Sequence, residues 1–255
     1  MRGLMRFAML TGVMLAGLSG CGGDLPDYRY KMTIHVVTPQ GDRAYSSVRQ
    51  IHSEYVSSIM SSSGKTIRDA LEGEAVIMDL PSGKTVYALL SRPENPEYAK
   101  YITGPALGPY VSQAAAKSTL GGSSKNSQFL DEIVSRRQAM LNLKGRYKLP
   151  EFIDTGSSSK TYKESKKMWP TFVEFADPNR PSSIYEVEPH ALGISSIFIE
   201  ITDELPSSTI TQKLPWLSDY KRSKKSLSGD SGGIVTTNDL KDVLGTGAFL
   251  QGYDK

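Results

Sequence analysis

Tyr30, Met32, Ile34 and Val36 alternate with Lys31, Thr33 and His35. A period of two over this length predicts a strand with one face in a core and the other toward water. Pro39-Gln40-Gly41-Asp42 supplies a turn, proline fixing one dihedral and glycine free to take positive φ. A second extended segment from Ala44 to Ile51 should complete an antiparallel hairpin. A further hairpin is predicted from Glu74–Leu80, the turn Pro81-Ser82-Gly83-Lys84 and Thr85–Leu90. Its apolar runs are almost unbroken, as expected of strands covered on both faces. Between the two hairpins, Ile67–Gly73 reads as a short helix or a loop.

From Arg92 the period changes. Pro96–Ile102 fits one or two helical turns, and Gly104-Pro105 with Gly108-Pro109 should interrupt regular structure. A Gly/Ser/Lys-rich stretch over 118–127 is expected to be mobile. Phe129, Leu130, Ile133, Val134, Met140 and Leu141 then mark one stripe of a helix over 127–143, with Asp131, Glu132, Arg136 and Gln138 on its other side. Beyond a polar stretch at 157–167, strand patterns recur at 171–175, 183–187 and 194–201, and Leu214-Pro215-Trp216-Leu217 forms an apolar knot suited to closing the core. From Asp219 the chain is Ser-, Lys- and Gly-rich and is expected to be loosely held. The pattern predicts an α+β fold: an antiparallel sheet or sandwich drawn from both halves, with one main amphipathic helix packed on it. No internal repeat is present.

The longest uncharged apolar run lies earlier, from Phe7 to Leu18, headed by Arg2 and Arg6. It has the length of a signal h-region and falls short of the roughly 20 residues of a permanent span. Small residues follow it in Leu18-Ser19-Gly20-Cys21, which ends on the only cysteine of the chain. An ordinary secretory leader with a chance cysteine would also fit such a run. The tetrapeptide, however, resembles the lipobox of bacterial lipoproteins. That resemblance implies a thioether-linked diacylglycerol on Cys21, removal of residues 1–20, and acylation (a palmitate-type chain) of the new amino terminus. Two or three acyl chains, each gaining about 0.8 kcal/mol per buried CH₂, hold a protein at a bilayer for long periods. The expected address is thus membrane-anchored and facing the periplasm. Gly22, where inner-membrane lipoproteins tend to carry aspartate, favours the outer membrane by the same resemblance. The organisation expected is a leader at 1–20, a lipid-anchored tether at 21–27, one α+β domain at 28–218 and a flexible tail at 219–255.

Loss of the leader removes two of the 30 basic residues, leaving 28 against 27 acidic ones. A nearly neutral body excludes a broad nucleic-acid surface. Two local basic clusters remain, Lys160, Lys163, Lys166, Lys167 and Lys221, Arg222, Lys224, Lys225. They read as solvated loop charge, or alternatively as contacts to anionic headgroups or cell-wall polymers. With one cysteine no internal disulfide can form, so stability rests on an apolar core. His35, His52 and His190 lie far apart in sequence, in no metal-binding spacing, and neither metal nor cofactor is expected. The polar segments 104–126 and 157–168 are candidate surfaces for a periplasmic or cell-wall partner.

Several short blocks carry a second resemblance: Tyr28-Arg29-Tyr30, Thr38-Pro39, Gly73-Glu74-Ala75-Val76, Phe172-Val173, Asp177-Pro178, Ile201-Thr202-Asp203-Glu204 and Leu214-Pro215-Trp216-Leu217. Together they resemble a group of uncharacterised exported alphaproteobacterial proteins. The likeness implies that 28–218 is one structural unit and brings no activity with it. Near the C-terminus, Gly229-Asp230-Ser231-Gly232-Gly233 resembles the nucleophile motif of chymotrypsin-like serine proteases, which would make Ser231 the attacking group. That chemistry also needs a histidine within hydrogen-bond reach and an acid to orient it. Neither His35 nor His52 stands in the family's histidine context, and only 22 residues follow Gly233. The reading favoured by the sequence is a non-catalytic binding or scaffolding lipoprotein, with a Ser231 hydrolase as the alternative.

Overall fold

The computed structural model describes residues 25–57, 65–116, 125–154, 165–223, 226–228 and 239–252. The chain begins with a meander of β1 (Tyr28–Thr38), β2 (Gly41–Ser57) and β3 (Lys65–Glu74), then the hairpin β4 (Val76–Asp79) and β5 (Thr85–Ala88). Three helices follow, α1 (Tyr98–Tyr101), α2 (Thr103–Ala116) and α3 (Lys125–Leu141). Next come β6 (Tyr147–Leu149), β7 (Phe152–Asp154), β8 (Ser165–Lys167), β9 (Phe172–Phe175), β10 (Ile184–Glu186) and β11 (Ile194–Ile201). The C-terminal part adds α4 (Ile210–Lys213), α5 (Trp216–Ser223), α6 (Leu240–Val243) and β12 (Leu250–Gln251). Six strands form a large sheet in the order β12-β3-β2-β1-β11-β6 and four form a smaller one in the order β10-β9-β5-β4, while β7 and β8 pair as a separate ribbon. Every registered pair is antiparallel. The fold is α+β.

The period-two pattern of β1 is used as its chemistry dictates. Tyr30, Met32 and Ile34 are fully buried, while Lys31 and His35 on the other face remain partly accessible. This inner face shares one core with Val76, Met78, Val86, Ala88 and Phe172 of the small sheet and with Ile102, Leu107 and Val111 around α2. The unbroken apolar runs of β4, β5 and β9 also find their reason. Their second face, with Tyr87, Leu89, Val173 and Phe175, packs against Ile210, Leu214, Leu217, Leu244 and Phe249. The small sheet is thus buried on both sides, between the large sheet and the C-terminal helices.

Three local expectations are corrected. Ile67–Gly73 is neither helix nor loop but most of β3, paired with β2 from Ser57↔Lys65 to Arg49↔Gly73. The free edge of a long neighbouring strand outweighs the helical spacing of that segment. Gly104-Pro105 and Gly108-Pro109 do not break the chain, since both lie inside α2. Pro105 falls in the first turn, where the missing N–H has no helical acceptor to lose. Pro109 forfeits one internal bond in a helix that buries Ala106, Leu107 and Val111. Finally, the chain beyond 219 is not a loose tail throughout. Leu227, Leu244, Ala248 and Phe249 are buried and β12 pairs with β3. A few well-spaced apolar residues are enough to dock a segment whose average composition is polar.

Helix α3 matches the predicted helix, and among its described side chains the core contact lies at the C-terminal end. Met140 is buried and Ala139 and Leu141 pack beside it, whereas Val134 is 42 % exposed. The side chains of Phe129 and Leu130 lie outside the described residues. Leu214 and Leu217 of the predicted apolar knot are fully enclosed in the second core, as expected.

Candidate functional site

The described chain enters the fold at Leu25, 2 % exposed, and is fastened within three residues. Arg137, projecting from α3, donates from Nη1 to the Pro26 carbonyl at 2.8 Å and to Ser53 Oγ at 3.1 Å. Its guanidinium also lies 4.5 Å from the centroid of the Tyr28 ring, a cation–π geometry. The Tyr28 hydroxyl shares a hydrogen bond with Thr103 Oγ1 at 3.1 Å. Burial drives that phenol's pKa far above its ordinary value despite the Thr103 bond and the nearby Arg137. The tyrosine therefore stays neutral and serves as a wedge between sheet and helix.

On the outer face of the large sheet, Asp27 and Glu72 flank His52. His52 Nδ1 lies 2.7 Å from Asp27 Oδ2, and Nε2 lies 3.2 Å from Glu72 Oε2. Asp27 Oδ1 accepts the Ser53 backbone N–H at 3.3 Å. An imidazolium donates to both carboxylates at once, whereas a neutral ring donates to only one. Further along, Arg29 donates to Gln50 Oε1 at 2.7 Å and to the Asp203 carbonyl at 3.1 Å. Lys31 meets Glu204 at 2.7 Å. A polar cleft of about 250 Å³ opens beside them, bordered by Asp27, Arg29, Gln50, Lys144 and Asp203. The arrangement is a set of hydrogen-bonded polar side chains around the segment at which the described chain enters β1.

It is not a nucleophile–base pair. Neighbouring residues on a strand point to opposite faces, so His52 and Ser53 are turned away from each other. Ser53 Oγ instead donates to Asp69 Oδ1 at 2.5 Å. The other two histidines lie elsewhere. His35 stands in the middle of β1 with its ring edge-on to Phe198 at 5.4 Å and a buried Nε2 that has no hydrogen-bond partner. His190 sits in the turn before β11, 3.0 Å from Glu151 Oε1 and beside the Trp169 ring. Both Cys21 and the pentapeptide of Ser231 lie outside the described residues, as do Lys160, Lys163, Lys224 and Lys225. Lys166 and Lys167 lie on β8, and Lys221 and Arg222 in the last turn of α5.

Among the described residues no group of three or more His, Cys, Asp or Glu side chains is placed to hold a metal ion. None of the described helices is long and apolar enough to cross a membrane. Sequence reasoning named His52 but not Asp27, Glu72 or Arg137. Their partnership depends on strand register and on where α3 lands, neither of which a period in the sequence encodes. Comparison of the chain with protein-family models, curated proteins and solved structures gave no match.

Proposed function

We propose that this is a lipid-anchored bacterial envelope protein, tethered through acyl chains on Cys21 and facing the periplasm, with a non-catalytic binding or scaffolding role. The outer membrane is the favoured address, on the strength of Gly22. The observation that carries the reading is the closeness of the lipobox cysteine to the fastened chain entry. Only three residues lie between Cys21 and the buried Leu25, four Cα–Cα steps in all. At a limit of about 3.3–3.6 Å per residue, they span at most roughly 14 Å. A body held by so short a leash, and locked at Pro26 and Asp27 by Arg137 and His52, presents the start of β1 to the bilayer. The β1–β2 turn then points away into the periplasm. A long, loose linker would give no such orientation.

Fractionation of cells expressing the full-length chain tests this. The wild-type protein should sediment with membranes and be released by detergent but not by high salt. The Cys21→Ser variant should lose that behaviour or accumulate with its leader uncleaved. Membrane partition of a normally matured Cys21→Ser protein would refute the anchor.

A further inference from the structure

The end of the small sheet farthest from the chain entry holds a carboxylate that the fold leaves half-satisfied. Glu174, on β9, is 3 % exposed. Its Oε2 accepts the Tyr185 hydroxyl and lies 3.2 Å from Lys84 Nζ. Its Oε1 is buried with no hydrogen-bond partner. A buried carboxylate oxygen without a donor is destabilising, and native folds leave few of them. Glu174 borders a cavity of about 380 Å³ whose other walls include Lys84, Tyr87, Phe175, Tyr185 and Lys213. That volume lies in the range of about 300–1,000 Å³ typical of small-molecule sites.

The charges around the cavity are already matched. Lys84 pairs with Glu174, and Lys213 meets Asp79 Oδ2 at 2.8 Å. A ligand carrying net charge would have to break one of these pairs. A neutral ligand would use them as fixed donors and acceptors. The missing partner of Oε1 is a donor, each lysine ammonium at the rim has three N–H donors and is paired with one carboxylate, and a hydroxyl group both donates and accepts. Tyr185, 42 % exposed, is an aromatic side chain on the cavity wall. Lys84 also borders an adjoining cleft of about 510 Å³ lined by Val37, Pro39, Leu80 and Leu192, a path for further units of the same ligand.

We propose that this cavity binds a neutral pyranose sugar within an oligosaccharide, one ring hydroxyl donating to Glu174 Oε1 while the sugar's C–H face rests on Tyr185. Because Oε1 is closed off from solvent, sugar entry requires the part-exposed Tyr185 side chain to swing aside, its ring then settling against the sugar's C–H face. The inference stands whether or not the chain carries a lipid.

Calorimetric titration of the full-length protein, in a detergent without a sugar headgroup, tests it with cellobiose and the N-acetylglucosamine dimer as probes and glycylglycine as a zwitterionic comparison. Saturable binding of at least one disaccharide is expected, weakened at least about ten-fold by Glu174→Gln. Tyr185→Ala, a change at an exposed edge-strand position, should weaken it at least about five-fold and keeps the test open if the Glu174 variant does not fold. Absence of heat with both disaccharides, undiminished binding in a folded variant, or binding of glycylglycine alone would overturn the proposal.

Discussion

Arg49 occupies the inner face of β2 with none of its surface exposed. Its Nε donates to the Glu74 carbonyl at 3.2 Å, its guanidinium lies 5.9 Å from the Tyr30 ring centroid, and Nη2 has no partner. Replacing buried ionic groups by well-packed apolar side chains of similar volume is often neutral or stabilising, by about 1–4 kcal/mol for ion pairs and triads. Arg49→Met should therefore raise the denaturant midpoint, and a clear loss of stability would contradict the assignment. No pattern in the sequence marks Arg49 as buried. The inward positions of β2 read Arg43, Tyr45, Ser47, Arg49 and Ile51, so alternation alone does not tell which face is the core. Pairing with β1, whose own alternation is unambiguous, decides it.

The buried tyrosines set a second property at this scale. Burial raises the phenols of Tyr30 and Tyr98, and with a smaller push from Asp79 it raises that of Tyr87 to about 12. In the unfolded chain a tyrosine ionises near 10. Between that value and the folded one, the unfolded state has lost protons that the native state retains. Stability is accordingly complete below about pH 10 and falls as pH rises through the folded values. Monitoring tyrosinate absorbance and circular dichroism together during an alkaline titration should show cooperative unfolding above that pH. Early, independent titration of every tyrosine with the fold intact would contradict this.

At the scale of elements, the junction before β11 depends on one glycine. Gly193 has φ of +76° and its carbonyl accepts the Val37 N–H at 2.8 Å. A Cβ there would come within 2.3 Å of the Val37 carbonyl oxygen. Gly193→Ala should cost about 2 kcal/mol or more, from left-handed strain and from forcing β1 away from the turn. A thermal midpoint equal to wild type would show that the approach is looser than described. The hairpins β1–β2 and β4–β5 were legible because alternation and turn residues agree there. Helix α2 was not, since its Gly-Pro pairs argue locally for a break that core contacts override. The same holds for β3, which owes its form to the edge of β2. The junction of β3 with the small sheet was equally hidden. Glu74 turns its carboxylate to Thr209 Oγ1 at 2.9 Å and the Ile210 N–H at 2.7 Å, so it fastens the start of α4 from 135 residues away in sequence.

For the whole molecule, the chain entry and the Glu174 cavity lie toward opposite ends of strand β1. Strand β1 runs from the fastened Leu25–Asp27 segment to the turn at the far end, where Tyr45 Oη donates to the Asp79 carbonyl at 2.7 Å and ties the large sheet to the small one. Eleven residues at about 3.3 Å each separate the two ends by roughly 35 Å. An acylated Cys21 would place the entry end at the bilayer and the cavity in the periplasm. The α+β class and the covering of the small sheet on both faces were readable from hydrophobic pattern. The docking of 239–252 was not, because its few apolar residues are scattered among polar ones. Mass spectrometry of the N-terminal peptide of protein extracted from membranes bears most directly on this placement. The account predicts a peptide beginning at Cys21 with a diacylglyceryl thioether, residues 1–20 being absent. A free Cys21 thiol, or a leader still attached, would contradict it.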